Sequence, residues 1–273
     1  QCAAVGSTRL HDRPLMKIAT WNVNSLKVRL PQLLDWLAAS PVDVVCLQET
    51  KLTDDKFPVA ALAEAGYASA FCGQPTYNGV AILTRRDTVG EPQQVVLGNP
   101  LLDDPQKRLI SASVAGVRVV CAYFPNDQAV DSDKYRYKLD WIDRLLQWLQ
   151  PQMTGAEPLV LLGDYNIAPE DRDVHDPAAW AGQVLCSEPE RARFRALQAL
   201  GLVDAYRLFE QPERTFSWWD YRQMAFRRNM GLRIDHVLVH PGLVGRVRAC
   251  TIDREMRKRE QPSDHAPVVA ELD

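Results

Sequence analysis

The residues best suited to chemistry stand at the ends of apolar runs. Gly163-Asp164-Tyr165-Asn166 follows Leu159-Val160-Leu161-Leu162, so an acid and an amide two residues apart leave what reads as a buried strand. Asp-x-Asn also makes turns through side-chain to backbone hydrogen bonds, so the motif alone decides nothing. Three further stretches repeat the pattern. Asn22 and Asn24 end the run from Lys17, Glu49 follows Val42 to Leu47, and Asp264-His265 precedes Val268 to Leu272, with Asp235 on a nearby strand. Glu49, Asp164 and Asp264 together suit a hard cation with oxygen ligands, Mg²⁺ or, in substitution, Mn²⁺. One histidine and no cysteine in the set argue against tetrahedral zinc. Carboxylates around such an ion, with a histidine beside them, suit phosphodiester hydrolysis. The ion and the histidine neutralise charge in the transition state, and a carboxylate holds or deprotonates the attacking water.

Positioning these groups requires a particular set of elements. Lys17 to Asn24 is rich in β-formers and reads as a strand. Pro31 suits the first turn of a helix whose apolar face is Leu33, Leu34 and Leu37, ending near Ser40. Val42 to Leu47 is almost continuously apolar and reads as a strand buried on both faces. Phe57 to Gly66 reads as a short helix, and Asn78-Gly79 as a turn opening the strand Val80 to Leu83. Leu109 to Val114 and Val117 to Tyr123 form a hairpin across Ala115-Gly116. Lys134 to Gln150 is amphipathic, with Leu139, Ile142, Leu145, Leu146 and Leu149 on its apolar face. Asp171 to Trp180 is a polar loop carrying His175, and Glu188 to Leu200 a helix stopped by Gly201. Ile234 to Val239 and Val268 to Leu272 are strands. Helices and strands alternate without strict βαβ regularity, and hairpins fall in both halves. Two mixed sheets packed face to face with helices outside are the expectation, in one domain from Met16 to Asp273. Met16 reads as the natural start, with residues 1–15 as an extension ahead of it.

Composition narrows the class. Of 273 residues, 46% are hydrophobic and 25% charged, enough for a large core. A formal net charge of −3 argues against broad, non-specific phosphate coating, so nucleic-acid contact must come from local basic patches. The six cysteines form no Cys-x-x-Cys pair, which favours a reducing compartment and a cytoplasmic protein. No apolar stretch approaches the roughly 20 residues of a membrane span, and the first fifteen residues lack the apolar core of a secretory signal.

Seven stretches together resemble one family. Trp21-Asn22-Val23-Asn24, Leu47-Gln48-Glu49-Thr50-Lys51, Tyr123-Phe124-Pro125, Gly163-Asp164-Tyr165-Asn166-Ile167, Phe216-Ser217-Trp218, Gly231-Leu232-Arg233-Ile234-Asp235 and Ser263-Asp264-His265-Ala266-Pro267 occur in the order seen in the exonuclease III family of DNA-repair nucleases. That family lies within the endonuclease/exonuclease/phosphatase superfamily, and the likeness runs from about Met16 to the C-terminus. It implies an α/β, four-layer αββα sandwich and a Mg²⁺-dependent phosphodiesterase acting, as a monomer, on duplex DNA with abasic sites, nicks or blocked 3′ ends. Carried over, Glu49 is the principal metal ligand, with Asn22 and Asp264 near the same ion. Asp164 orients or deprotonates the attacking water and shares in the metal. Asn166 binds the scissile phosphate, the water and the metal region. His265 donates to a phosphate oxygen, oriented by Asp235, as carboxylates orient histidines elsewhere. Tyr123 contacts the phosphate or assists the leaving group, and Trp218 walls the sugar pocket.

Without the resemblance the alternatives stay open: Tyr123 and Trp218 as core aromatics, Asp235 as a buried salt-bridge partner, His265 as a cap. Phosphate contacts are assigned to Lys51, Lys56, Arg227 and Arg228, and to Arg254, Arg257, Lys258 and Arg259, where interleaved glutamates favour a solvated face. His11, His236 and His240 read as structural or exposed. The sequence departs from the family at Asn24, where many relatives carry an aspartate. It also offers His175 as a bulky residue that would narrow the sugar pocket and favour 3′-end processing over internal incision. Two rival classes remain: a superfamily phosphatase or phosphodiesterase acting on RNA, lipid or inositol phosphates, and a catalytically silent nucleic-acid binder.

Overall fold

A computed structural model describes residues 15–126 and 128–273. Apart from Leu15, the proposed extension lies outside the described residues, as does His11. The strands are β1 (Met16–Asn22), β2 (Val44–Gln48), β3 (Tyr67–Cys72), β4 (Val80–Arg85), β5 (Gln93–Leu97), β6 (Leu109–Val114), β7 (Val117–Tyr123), β8 (Leu159–Asp164), β9 (Val203–Asp204), β10 (Trp218–Trp219), β11 (Gly231–Leu232), β12 (Asp235–Val239), β13 (Val247–Ile252) and β14 (Val268–Leu272). The helices are α1 (Leu26–Ala39), α2 (Val59–Glu64), α3 (Arg86–Val89), α4 (Asp133–Leu149), α5 (Pro177–Trp180) and α6 (Glu188–Ala199).

One six-stranded sheet runs β13-β14-β1-β2-β4-β3, a second runs β5-β6-β7-β8-β12-β9, and β10-β11 form a small ribbon. Each large sheet is antiparallel except for one pair, β1 with β2 and β7 with β8. A parallel pair needs a crossover, and α1 and α4 supply the two. Side chains alternate along a strand, so each sheet has an inner and an outer face. Ile18, Cys46, Cys121, Val160, Leu162 and Val237 meet between the sheets. Trp21, Val45 and Leu47 face outward onto Leu33 and Trp36 of α1 and Leu62 of α2. Val120, Leu161 and Leu238 pack outward onto Ile142 and Leu145 of α4 and Phe194 and Leu197 of α6. The fold is the expected four-layer αββα sandwich.

Local expectations meet the structure unevenly. The β6–β7 hairpin and β14 have the expected bounds, and Ala115 and Gly116 both take positive φ (49° and 78°), as a two-residue turn requires. Pro31 is not in a first turn. Helix α1 begins five residues earlier, at Leu26, where Ser25 Oγ accepts from Val28 N (3.4 Å), so the proline lies inside it. The stretch from Phe57 to Gly66 holds only the short α2, preceded by a 3-10 turn at Asp54–Lys56. In α4 the buried face runs through Tyr135, Lys138, Trp141, Ile142, Leu145 and Leu149, with Leu139 and Leu146 only partly covered. Strands β3, β5, β9, β10, β11 and β13 have no counterpart among the expected elements. β5 is exposed along most of its length, and a strand without a buried face leaves no two-residue period to read.

Candidate active site

The strand parity that builds the inter-sheet core also aims the polar residues. Asn22 continues the inward series of Ile18 and Thr20, Tyr123 that of Val119 and Cys121, and Asp164 that of Val160 and Leu162. Asp235 opens β12 in the parity of Val237 and Val239, paired in register with Asp164, which on its other side pairs with Tyr123. All four therefore emerge between the sheets, at the carboxyl ends of the two parallel pairs. Gly163 lets β8 approach β7 there: a Cβ would stand 1.9 Å from Ala122 O.

The side chains are bonded into one network. Asn22 Nδ2 donates to Glu49 Oε2 (2.7 Å) and to Asp164 Oδ2 (2.9 Å), keeping the two carboxylates on either side of one amide. Its oxygen accepts from Asn24 N (2.9 Å), so Asn22 is placed as a donor between acids. His265 Nδ1 meets Asp235 Oδ2 at 2.8 Å, and its Nε2 lies 3.5 Å from Asp164 Oδ2. The expected Asp235–His265 contact is present. Asn166 N donates to Asp164 Oδ1 (3.0 Å), and Asn166 Nδ2 to Phe124 O (2.9 Å). Trp218 Nε1 donates to Asp264 Oδ2 (3.1 Å), which makes this tryptophan an anchor for the acid. Asn24 donates to Asp264 Oδ1 (3.3 Å) and accepts from Lys51 Nζ (2.7 Å). The departure at Asn24 therefore links a lysine to an acid. Lys51, assigned to phosphate, lies within the network, 4.0 Å from Glu49 Oε1.

Electrostatics follow from this crowding. Burial, with Asp235 and Glu49 nearby, raises Asp164 to about 7, although His265 and the Asn22 hydrogen bond pull the other way. Burial lowers His265, but Asp235, Asp164 and Asp264 outweigh it and hold the imidazole well above its usual range. Tyr123 is pushed well up by burial and then by Glu49 and Asp164, so its phenol keeps its proton. Arg108 lies 4.9 Å over the Tyr123 ring and, with Glu49, Tyr77, Asn78, Tyr123 and Lys134, lines a cavity of about 390 Å³. Nothing in the sequence singled out Arg108: it lies over the Tyr123 and Tyr137 rings and donates to Gln106 Oε1 (2.9 Å), and these partners form no motif. The loops carry backbone strain: Asn24, Ser25, Glu49, Lys51 and Asn166 all take left-handed φ (45°, 85°, 52°, 56° and 48°). Such conformations in non-glycine residues cluster at functional sites.

Other assigned residues lie apart. Val174 bridges Leu232, which pairs with Trp218, and these three pack together. His175, one residue on, places Nδ1 3.1 Å from Gly231 O and lines a separate cavity with Arg172, Arg207 and Arg214. The structure does not bring it to the carboxylates. Lys56, Arg227 and Arg228 are exposed. Arg254 and Arg257 lie over the Phe226 ring (4.2 and 5.2 Å), while Lys258 pairs with Glu255 (2.7 Å) and Arg259 with Asp35 (3.8 Å). The interleaved run thus clasps a loop and makes surface pairs. His236 is wholly buried and His240 bonds Gly242 N (3.0 Å) and Met153 O (2.9 Å), both structural as expected.

This arrangement has known counterparts. Residues 19–265 match the model of the endonuclease/exonuclease/phosphatase family. The chain belongs to that family. It is 35% identical to exodeoxyribonuclease III of Haemophilus influenzae over 270 residues, covering 94% of this chain and all of that protein. The structure of a 3′-5′ exonuclease from Neisseria meningitidis superposes with a TM-score of 0.91 at 49% identity, covering 94% of this chain and 100% of the other. A Neisseria 3′ phosphatase bound to product DNA hairpin gives the same score and identity over 94% and 99%. An AP endonuclease from Archaeoglobus fulgidus gives 0.89 at 38% identity, over 94% and 99%. The chain is a nuclease of exonuclease III type, of a metal-dependent family. Its donors fit a hard cation. Carboxylate oxygens of Glu49 and Asp164 meet on the Asn22 amide, Asp264 is held by the Asn24 amide, and Lys51 links Asn24 to the Glu49 side; one ligand atom each of Asp164, Asp235 and His265 lie within 4.8 Å of one another.

Proposed function

We propose that the protein is a Mg²⁺-dependent DNA-repair enzyme that works as a cytoplasmic monomer on 3′ ends in duplex DNA. It acts as 3′-5′ exonuclease and 3′ phosphatase, and incises 5′ to abasic sites as a further activity. In each case water attacks phosphorus, the P–O3′ bond breaks, and a 3′-hydroxyl is left, so one site serves all three. The observation that carries the reading is the buried chain Asp235–His265–Asp164 beside Glu49. The Neisseria and Archaeoglobus structures, at 49% and 38% identity, support the choice of bonds.

Glu49 and Asp264, with Asp164, would hold the ion, which neutralises phosphate charge when bound. Asp164, poised near neutrality, accepts a proton from the attacking water. His265, kept protonated by its three acids, donates to a non-bridging phosphate oxygen. Asn166 holds the scissile phosphate. Tyr123, protonated and facing the Glu49 cavity, donates toward the departing O3′. Trp218 stands against the sugar.

Duplexes carrying a recessed 3′ end, a 3′-phosphate at a nick or an internal abasic analogue, incubated with Mg²⁺ or with chelator, test this. Mg²⁺-dependent product is expected from all three, faster from the two 3′-end substrates, and Glu49→Gln should abolish it without changing the melting temperature. Absence of Mg²⁺-dependent cleavage on any of these DNAs refutes the proposal.

A further inference from the structure

Asn166 must keep a left-handed backbone (φ 48°) that costs a non-glycine residue energy, and three hydrogen bonds hold it there. Two come from the site itself, through Asp164 Oδ1 and Phe124 O. The third comes from beneath: Lys138 Nζ on α4 donates to Asn166 O at 2.6 Å. Lys138 is wholly buried and ion-paired with Glu190 of α6, which is wholly buried too. Glu190 is in turn fixed by Leu185 N (3.1 Å), Ser187 N (3.2 Å) and Ser187 Oγ (2.5 Å), while Ser187 Oγ also meets Tyr135 OH (2.8 Å).

A lysine in this position is not explained by stability. Tyr135, Lys138, Ile142, Leu145 and Leu149 form one buried stripe at three- and four-residue spacing, so Lys138 occupies a position that packing alone would give to an apolar residue. Replacing a buried ion pair by apolar residues of similar volume is often neutral or stabilising. An apolar pair would close the α4–α6 seam, yet it would leave the Asn166 carbonyl without its donor.

We propose that Lys138, anchored by Glu190, is a positioning residue for catalysis: it holds Asn166 in the left-handed conformation that presents its amide to the scissile phosphate. This rests on the reading of Asn166 as a phosphate contact. Glu190 ties the ammonium to the start of α6, and the ammonium ties that framework to the loop after β8. The site geometry is thereby set by the outer helical layer.

The test is a cycle of variants assayed on a nicked duplex with a 3′-phosphate and Mg²⁺: Asn166→Ala, the neutral pair Lys138→Met with Glu190→Gln, and all three together. The Glu190→Gln change retains a side-chain oxygen for the α6 N-terminus. The neutral pair is expected to lower kcat about 10- to 100-fold, with KM for DNA unchanged. In the Asn166→Ala background the same pair should change kcat no further, since no amide is left to position. Full multiplicative loss in that background, or wild-type kcat in the neutral pair alone, overturns the proposal. Wild-type kcat in Asn166→Ala would instead overturn the reading of Asn166, and the proposal with it. Should the neutral pair fail to fold, Glu190→Gln alone replaces it in the same cycle, with the same criteria.

Discussion

At the scale of single residues, the site's acids are controlled by donors that no motif reveals. Asp235 holds His265 Nδ1 at 2.8 Å, and its other oxygen is buried without a hydrogen bond among the described residues. Asp235→Asn removes the charge that orients and protonates the imidazole, and kcat on a 3′-phosphate duplex is expected to fall about 10- to 100-fold. If His265→Gln and Asp235→Asn act through one unit, the double variant should be no slower than the worse single one. Trp218 gives a finer test. Trp218→Phe keeps an aromatic wall but removes the 3.1 Å bond to Asp264, and kcat/KM is expected to drop about fivefold, the equivalent of roughly 1 kcal/mol. A tryptophan serving only as a wall would tolerate phenylalanine. Asp164, Asn166, Asp235 and His265 were legible because each stands at the edge of an apolar run. The donor role of Asn22 and the Lys51–Asn24–Asp264 link were not, since they join residues 27 to 240 positions apart through side chains alone.

At the scale of elements, legibility followed apolar runs. Strands β6, β7 and β14 were read to the residue, whereas β3 and β13, whose buried Tyr67, Ala68, Cys72, Val247 and Cys250 stand among more exposed neighbours, were not. The exposed edge strand β5 carried no period. Helix α1 shows a different failure. Pro31 suggested a start, but the Ser25 cap and the inward anchors Leu26 and Leu33 begin the helix earlier and carry it through the proline. At that position Pro31 cannot donate to the Lys27 carbonyl, and its ring crowds that oxygen. Because Pro31 is exposed, Pro31→Ala forfeits little packing. It should raise the free energy of unfolding by about 1 to 3 kcal/mol in urea titrations and leave nuclease activity unchanged. Unaltered or lowered stability would mean that the helix is already distorted around the proline. Lys138 did have a sequence signal: a lone charge in the stripe 135-138-142-145-149, which an apolar-only reading of α4 passed over.

For the whole molecule, the two sheets share one connectivity. In each, a parallel pair with a helical crossover points its carboxyl ends at the same mouth, which is why residues from Asn22 to His265 can meet there. Behind the second sheet a buried charge cluster fixes the loop after β8. Arg233 Nε donates to Asp173 Oδ1 (2.7 Å), NH2 to Asp204 Oδ2 (2.8 Å), and NH1 stands 3.1 Å from His236 Nδ1. With a guanidinium donating to Nδ1, the imidazole is neutral and carries its proton on Nε2, which reaches Ile167 O at 2.8 Å. Burial, then the Arg233 charge, lowers His236 to about 4 from 6.5. The unfolded chain therefore binds a proton at His236 between those values while the folded chain does not, so acid drains stability. The contribution is complete above pH 6.5, shrinks as pH falls, and is gone near pH 4, with a total on the order of 3 kcal/mol. Asp164, raised to about 7 from 3.8, acts in the opposite sense across much of the same range, so the wild-type curve alone hides the effect. The difference curve isolates it. Urea unfolding of wild type and His236→Gln should show the wild type's advantage greatest above pH 6.5 and narrowing steadily toward pH 4. A gap that stays constant across this range would show that His236 is charged in the folded protein, and that the Arg233 cluster is held by some other arrangement of protons.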